Sequence, residues 1–288
     1  MRKQIATLLL ILLSAVVASA AQQGQIPLAQ KEVVVYGQKI GYVEAGSGPT
    51  VILLHGLGGN GQNWWFTTGP LAERFRVIVP DQIGFGKSDK PLINYRVRTY
   101  VDFLDQFCKQ LKIERATLVG NSMGGWIAAA FTIAFPERVD RLVLVDATGY
   151  APPASFDYQS LYALNPSTRE GMKQLAAKVF FNQHFKTDAA IDQLLTQRMG
   201  AGDGYTINSL IESVSRREDF LDGQLDKIKA PTLIVWGRED GLVLLSEGER
   251  LNKEIANSKL VVLDRCGHFP QVEKAGEFNA AVLEFLKQ

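Results

Sequence analysis

Eight short apolar runs punctuate the chain: Val33 to Tyr36, Ile40 to Val43, Val51 to Leu54, Val77 to Val79, Thr117 to Val119, Leu142 to Val145, Leu233 to Trp236 and Leu260 to Leu263. From the third run onward, longer amphipathic stretches separate most of them. Within each run the apolar character is continuous, not alternating. That is the pattern of strands buried on both faces, as in a parallel sheet covered by helices. The first two runs, joined by Gly37-Gln38, predict an antiparallel hairpin. The rhythm breaks between Gly149 and about Leu225, where Leu161, Leu164, Met172, Leu175, Leu194 and Met199 are among the apolar positions of a helical, loop-rich stretch. It resumes at Ala230-Pro231-Thr232. The expectation is an α/β core over 21–149 and 226–288, interrupted by a helical insertion over 150–225. Ligands gather at the carboxyl ends of parallel strands, so the insertion is expected to cap a site there.

The amino terminus changes the picture of where such a protein works. Arg2 and Lys3 precede a nearly unbroken apolar run from Ile5 to Val17, and Ala18-Ser19-Ala20 follows. A basic start, a short apolar core and a small-x-small end are the marks of a secretory signal peptide over 1–20. The run is short for a membrane span, which takes about 20 apolar residues. The expectation is a periplasmic or secreted protein with no stable membrane insertion after cleavage. An uncleaved N-terminal anchor is the alternative. Charge is balanced, with 31 Lys and Arg against 30 Asp and Glu and no basic stripe, which argues against nucleic acid as a partner. Cys108 and Cys266 fall at opposite ends of the expected sheet, which excludes a disulfide between them, and no zinc-type spacing occurs.

Candidate chemistry centres on Gly120-Asn121-Ser122-Met123-Gly124, of the form G-x-S-x-G. An apolar strand precedes it and a helical pattern follows, so the chain must turn sharply at Ser122. Glycines at 120, 124 and 125 relieve the crowding of such a turn, which lifts the serine hydroxyl above the sheet. The Met123 amide then lies at a helix N-terminus, where unpaired N–H groups favour negative charge. The loop His55-Gly56-Leu57-Gly58-Gly59 supplies a second donor, the Leu57 amide, for an oxyanion hole.

A serine hydroxyl needs a base. Of three histidines, His55 is expected to hold the glycine loop and His184 to be structural. His268, just after the last apolar run, overhangs the same sheet edge as Ser122 and is the candidate base. Asp240, in Gly-Arg-Glu-Asp after the seventh run, is the favoured acid, because this turn resembles the commoner arrangement and precedes His268 directly. Asp146, after the sixth run, competes for that role. The stretch Asp81 to Asp89 lacks the spacing of a phosphate loop and reads as a structural turn. No cofactor and no metal is implied.

HGLGG, DQIGFGKSD, GNSMGG, WGRED and CGHF together resemble the α/β-hydrolase fold family, in its serine-nucleophile branch, over essentially the whole chain after the leader. That resemblance implies an eight-stranded, mostly parallel sheet with an inserted helical cap. GNSMGGW and RCGHFPQVEKAGEFN look like the meta-cleavage product hydrolases, which cut a carbon–carbon bond in vinylogous diketones. By that likeness Arg198 in the cap handles substrate, and Asn121 and Phe269 line the site. HGLGGNGQNWW departs from the Gly-Pro-Gly loop usual in that subfamily, and an export signal is unusual there. The leading expectation is therefore a serine carboxylic-ester hydrolase acting through an acyl-enzyme on a small-molecule substrate. Carbon–carbon bond hydrolysis is the alternative, and a non-catalytic ligand-binding receptor of the same fold is the third. Trp64, Trp65, Trp126 and Phe269 suggest a mainly hydrophobic substrate. Substrate identity and oligomeric state stay open.

Overall fold

The computed structural model describes residues 28–287, so the leader predicted over 1–20 lies outside the described residues. Each apolar run forms a strand: β1 Ala29–Val35, β2 Gln38–Ala45, β3 Thr50–Leu54, β4 Arg76–Pro80, β5 Ala116–Asn121, β6 Val139–Val145, β7 Thr232–Gly237 and β8 Ser258–Leu263. They make one sheet in the order β1-β2-β4-β3-β5-β6-β7-β8. β1 and β2 form the antiparallel hairpin, closing at Val35 opposite Gln38, and β2 also runs antiparallel to β4. From β4 to β8 every pairing is parallel.

The continuous apolar runs follow from burial on both faces. Ile52, Leu54, Leu118, Leu142, Leu144 and Ile234 join one core cluster, and Val51, Leu53, Val119, Val143, Val145 and Val235 join the other. Alternate residues of each strand thus enter opposite layers, as the two-residue period of a strand requires. Helices α1 (Trp65–Ala72) and α9 (Ala275–Lys287) cover the second face through Leu71, Phe278 and Val282. Helices α2 (Val97–Gln110), α3 (Met123–Ala134) and α7 (Leu245–Glu254) cover the first through Tyr100, Leu104, Ile127, Phe131 and Leu251. The α2 seam is strongly one-sided, with Val97, Tyr100, Val101, Leu104, Phe107 and Cys108 buried at helical spacing.

Between β6 and β7 come α4 (Arg169–Val179), α5 (Asp188–Gly200) and α6 (Gly204–Ser215), with short 3₁₀ turns before and among them. α4 and α5 close a small core of their own around Met172, Ala176 and Ile191. The remaining short helix, α8 (Pro270–Glu273), follows His268. No helix among the described residues is long and apolar enough to cross a membrane. Cys108 and Cys266 are both buried and free.

Candidate active site

Five neighbouring strands end at one rim of the sheet, and the candidate residues sit on the loops that follow them. β5 runs directly into Ser122, which caps α3 with φ 56° and ψ −121°. A non-glycine residue held there stores of order 1–3 kcal/mol of strain. Only glycine fits beside it. A Cβ on Gly120 would stand 2.2 Å from the Gly124 carbonyl oxygen, and one on Gly124 would stand 2.2 Å from that of Leu54. The sharp turn also leaves the first amides of α3, Met123 among them, without helical acceptors.

β3 leads into the glycine loop. His55 is wholly buried; its Nδ1 donates to the Gly56 carbonyl at 2.8 Å, and its Nε2 accepts the Gln82 amide at 3.1 Å. Burial pushes the His55 pKa below that of a free imidazole, against smaller opposing effects of the Gly56 hydrogen bond and Asp81. A neutral ring with a fixed tautomer is what holding this loop requires. Gly56 in turn abuts the nucleophile: a Cβ there would lie 3.1 Å from that of Ser122. The Asp81 stretch is a turn, with Asp81 Oδ1 accepting the Gly61 amide at 2.7 Å and Oδ2 the Lys87 amide at 2.7 Å.

His268 follows β8 and Asp240 follows β7. The imidazole Nδ1 donates to Asp240 Oδ2 at 2.7 Å, with the two side chains almost fully buried. Asp240 Oδ1 accepts the Leu242 and Val243 amides at 2.8 and 3.0 Å, which fixes the carboxylate. The His268 amide donates to the Val179 carbonyl at 2.7 Å, tying the histidine loop to the end of α4. Glu273 is a clamp that the sequence reading missed. Its Oε1 accepts the Gly267 amide at 2.9 Å, while Oε2 accepts those of Phe181 and Asn182 at 2.9 and 2.7 Å. Its only local signal is an acidic residue in the first turn of a helix that follows the histidine.

Ser122 and His268 face a cavity of about 860 Å³, which Leu57, Met123, Trp126, Arg198 and Phe269 also line. The inserted segment supplies much of the opposite wall, through Leu161, Leu164, Met172, Leu175, Phe180 and Leu194. Trp126 stacks on Phe220 with ring centroids 5.0 Å apart and donates its indole N–H to the Asp219 carbonyl at 2.9 Å. Phe269 packs against Phe180 at 5.4 Å.

Several expectations need correction. Asn121 is not in the cavity wall: its Nδ2 donates to the Val145 and His268 carbonyls at 3.1 Å each, bracing the serine strand against the histidine loop. Its place in the strand, one residue before the turn, points it sideways under the site. Trp64 is wholly buried against Phe278 in the core and Trp65 is exposed, so neither faces the cavity. His184 is exposed and is no structural linchpin. Arg198 does line the cavity, but it is already engaged. It pairs with the buried Asp203 and reaches the Gly58 carbonyl at 3.4 Å.

The family model for the alpha/beta hydrolase fold matches residues 49–201 and 205–275. The chain is 36% identical over 273 residues to the 2-hydroxy-6-oxo-6-phenylhexa-2,4-dienoate hydrolase of Comamonas testosteroni, covering 86% of this chain and 91% of that one. A solved meta-cleavage product hydrolase of Pseudomonas fluorescens IP01 is similar with a TM-score of 0.80 at 33% identity, over 90% of this chain and 98% of the other. A membrane phospholipase A described as a bacterial virulence factor is similar with a TM-score of 0.80 at 29% identity, over 100% and 98% of the two chains.

Proposed function

The chain belongs to the alpha/beta hydrolase fold family, and from that premise we propose that it is a serine hydrolase of carbonyl compounds bearing a large apolar group. The observation that carries this reading is the cavity shared by Ser122 and His268, with the imidazole held on Asp240 at 2.7 Å. Ser122 Oγ attacks the carbonyl carbon and His268 Nε2 takes its proton. The Leu57 and Met123 amides hold the oxyanion, each worth about 10²–10³ in turnover. Collapse expels the leaving group with the proton from His268, and water then hydrolyses the acyl-enzyme with His268 again as base.

We propose further that the bond cut is a carbon–carbon bond in a vinylogous diketone acid. The named relatives support this over the ester hydrolysis that leads the sequence reading. In that reaction the departing electron pair spreads into the conjugated keto acid, which picks up the proton. Arg198, at the cavity wall, is the cation for the substrate carboxylate. Ester hydrolysis is kept as the second reading on one observation: Asp203 already neutralises Arg198, so the cavity favours an uncharged substrate. The likeness to a phospholipase A is in keeping with it. The basic and apolar leader supports an exported, periplasmic or secreted enzyme.

The test is direct. Purified protein is given a coloured ring-fission dienoate and, separately, p-nitrophenyl butyrate, with Ser122→Ala as control. Bleaching of the dienoate that is lost in the variant supports carbon–carbon cleavage. Persistent colour with rapid ester turnover installs the second reading. Neither activity, with Ser122 unlabelled by a fluorophosphonate, leaves a receptor of the same fold.

A further inference from the structure

Two acids, not one, stand behind His268. Asp146 follows β6 and Asp240 follows β7, adjacent parallel strands paired at Val145 and Val235. One donor atom each from Asp146, Asp240 and His268 lie within 4.8 Å of one another. Asp146 is wholly buried, in the left-handed region at φ 42°. Its Oδ1 accepts the Gly237 amide at 2.9 Å, while no N–H reaches its buried Oδ2 among the described residues. Asp240 is better supplied, with two main-chain amides on Oδ1 and the imidazole on Oδ2.

We propose that Asp146 is a second acid of the site: it carries the proton of the Asp146–Asp240 pair, hydrogen-bonds Asp240 as a positioning residue, and replaces it as the counter-ion of His268 when Asp240 is neutralised. The inference rests on the serine-hydrolase reading of Ser122 and His268 and goes beyond it.

Two carboxylates this close in a dry site do not both ionise. Three N–H groups point at Asp240 and one at Asp146, so the charge settles on Asp240 and the proton on Asp146. Burial is the main cause that holds the Asp146 carboxyl well above the usual carboxylic range, followed by the charge of Asp240, with the Gly237 amide opposing. Glu273 acts in the same direction as Asp240. The other titratable groups facing Asp146 are His268 and the Cys266 thiol, itself pushed up by burial first and by Asp146 second. A proton on Asp146 Oδ2 finds its acceptor in Asp240, which accounts for an oxygen that is otherwise without a partner. Sharing that hydrogen bond draws charge from the carboxylate on which the imidazolium leans, and it locks the carboxylate's angle. Remove the charge from Asp240 and the strongest reason for Asp146 to stay neutral goes with it.

The pH dependence of Ser122 labelling by a fluorophosphonate tests this without any assumption about the natural substrate. In that reaction the serine oxygen bonds to phosphorus, fluoride leaves, and His268 takes the proton. Asp146→Asn keeps a hydrogen-bond donor toward Asp240 and is expected to leave the acid limb of the profile in place. Asp146→Ala removes the donor and is expected to move that limb to higher pH, by about half a unit or more. Asp240→Asn is expected to label about tenfold or more faster than Asp240→Asn/Asp146→Asn at the same pH. A purely structural role for Asp146 would lower stability in both single variants but leave the limb unmoved. Superimposable limbs for Asp146→Ala and wild type overturn the inference, as do equal rates for Asp240→Asn and the double variant. If Asp146→Ala does not fold, the Asp240→Asn pair decides. A wild-type chain that does not label overturns the serine-hydrolase reading, and this inference with it.

Discussion

At the scale of single residues, the turn at Ser122 is made possible by what its neighbours lack. The atoms that a Cβ on Gly124 would strike are the Leu54 and His55 carbonyl oxygens, main chain of a central strand end that cannot yield. Gly124→Ala is expected to cost about 3 kcal/mol or more, read as a lower urea midpoint at unchanged slope. Gly276, exposed in the first turn of α9 and followed by Glu277, has nothing within 4 Å of the same hypothetical atom. Gly276→Ala is the control and is expected to be neutral or to stabilise by up to about 1 kcal/mol. His55 gives a prediction in pH. Its folded-state pKa lies below the ordinary 6.5, so on acidification the unfolded chain binds the proton first. The stability it contributes is present above about pH 6.5 and declines as pH falls toward the depressed value. In an NMR titration, its ring signals are expected to report a mainly neutral imidazole at pH 6.5. Half-titration there would contradict the loop-holding role. Ser122 was readable from the glycines around it, His268 because the chain has only three histidines, and Asp240 because it follows an apolar run and precedes His268. Asn121 and Glu273 were misread or missed because their work consists of bonds to main chain far away in sequence, which no local pattern encodes.

At the scale of elements, every apolar run became a strand and the break in rhythm became three helices, since burial on both faces leaves a composition signal. The strand order left none. That β3 sits between β4 and β5 follows from crossovers through α1 and α2, and local periodicity is blind to it. The contact between α5 and the glycine loop was equally hidden. Arg198 fills the space beside Gly58, where a Cβ would lie 2.5 Å from the guanidinium, so the inserted helices brace the loop that carries the Leu57 amide. Breaking this pair strands the charge of Asp203, which is 1% exposed. Arg198→Met is expected to lose about 3–5 kcal/mol, and Asp203→Asn added to it to recover much of that loss, measured by denaturant unfolding. Kinetics separate the two catalytic readings with the same variant. If the substrate is a diketone acid, kcat/KM falls by about 10–100-fold on losing the charge-assisted bond. For a neutral ester of similar size, the drop is expected to be several-fold smaller.

At the scale of the whole molecule, the site lies between two bodies of unequal solidity. The rim that carries Ser122, Asp240 and His268 grows from strands whose residues enter two extensive core clusters. The facing wall is built largely from α4 and α5, whose shared core is three buried residues with Phe180, Leu194 and Leu195 around them. Elements that bury little apolar surface open locally at a smaller free-energy cost than the global one. The ties across the gap are few and specific: at the carboxyl end of α4, His268 to Val179, Gly241 to Lys178 at 3.0 Å, and the Glu273 carboxylate to Phe181 and Asn182. Near the carboxyl end of α5, Arg198 reaches the Gly58 carbonyl at 3.4 Å. Both carboxyl ends are thus pinned to the loops of the rim, and motion of the wall must hinge there, leaving the amino-terminal turns of α4 and α5 to swing. Amide hydrogen exchange is the measurement. Amides of the first turns of α4 and α5 are expected to exchange through local opening, at rates insensitive to small additions of stabilising salt. Those of β5, β7 and α3 should exchange only near the global unfolding limit. Glu273→Gln keeps the shape of the clamp but weakens its hold on Phe181 and Asn182. It is expected to extend fast exchange to the last turn of α4 while leaving β5 protected. Uniform protection across α4, α5 and the sheet would mean that the two bodies open as one, and that substrate enters without the wall moving.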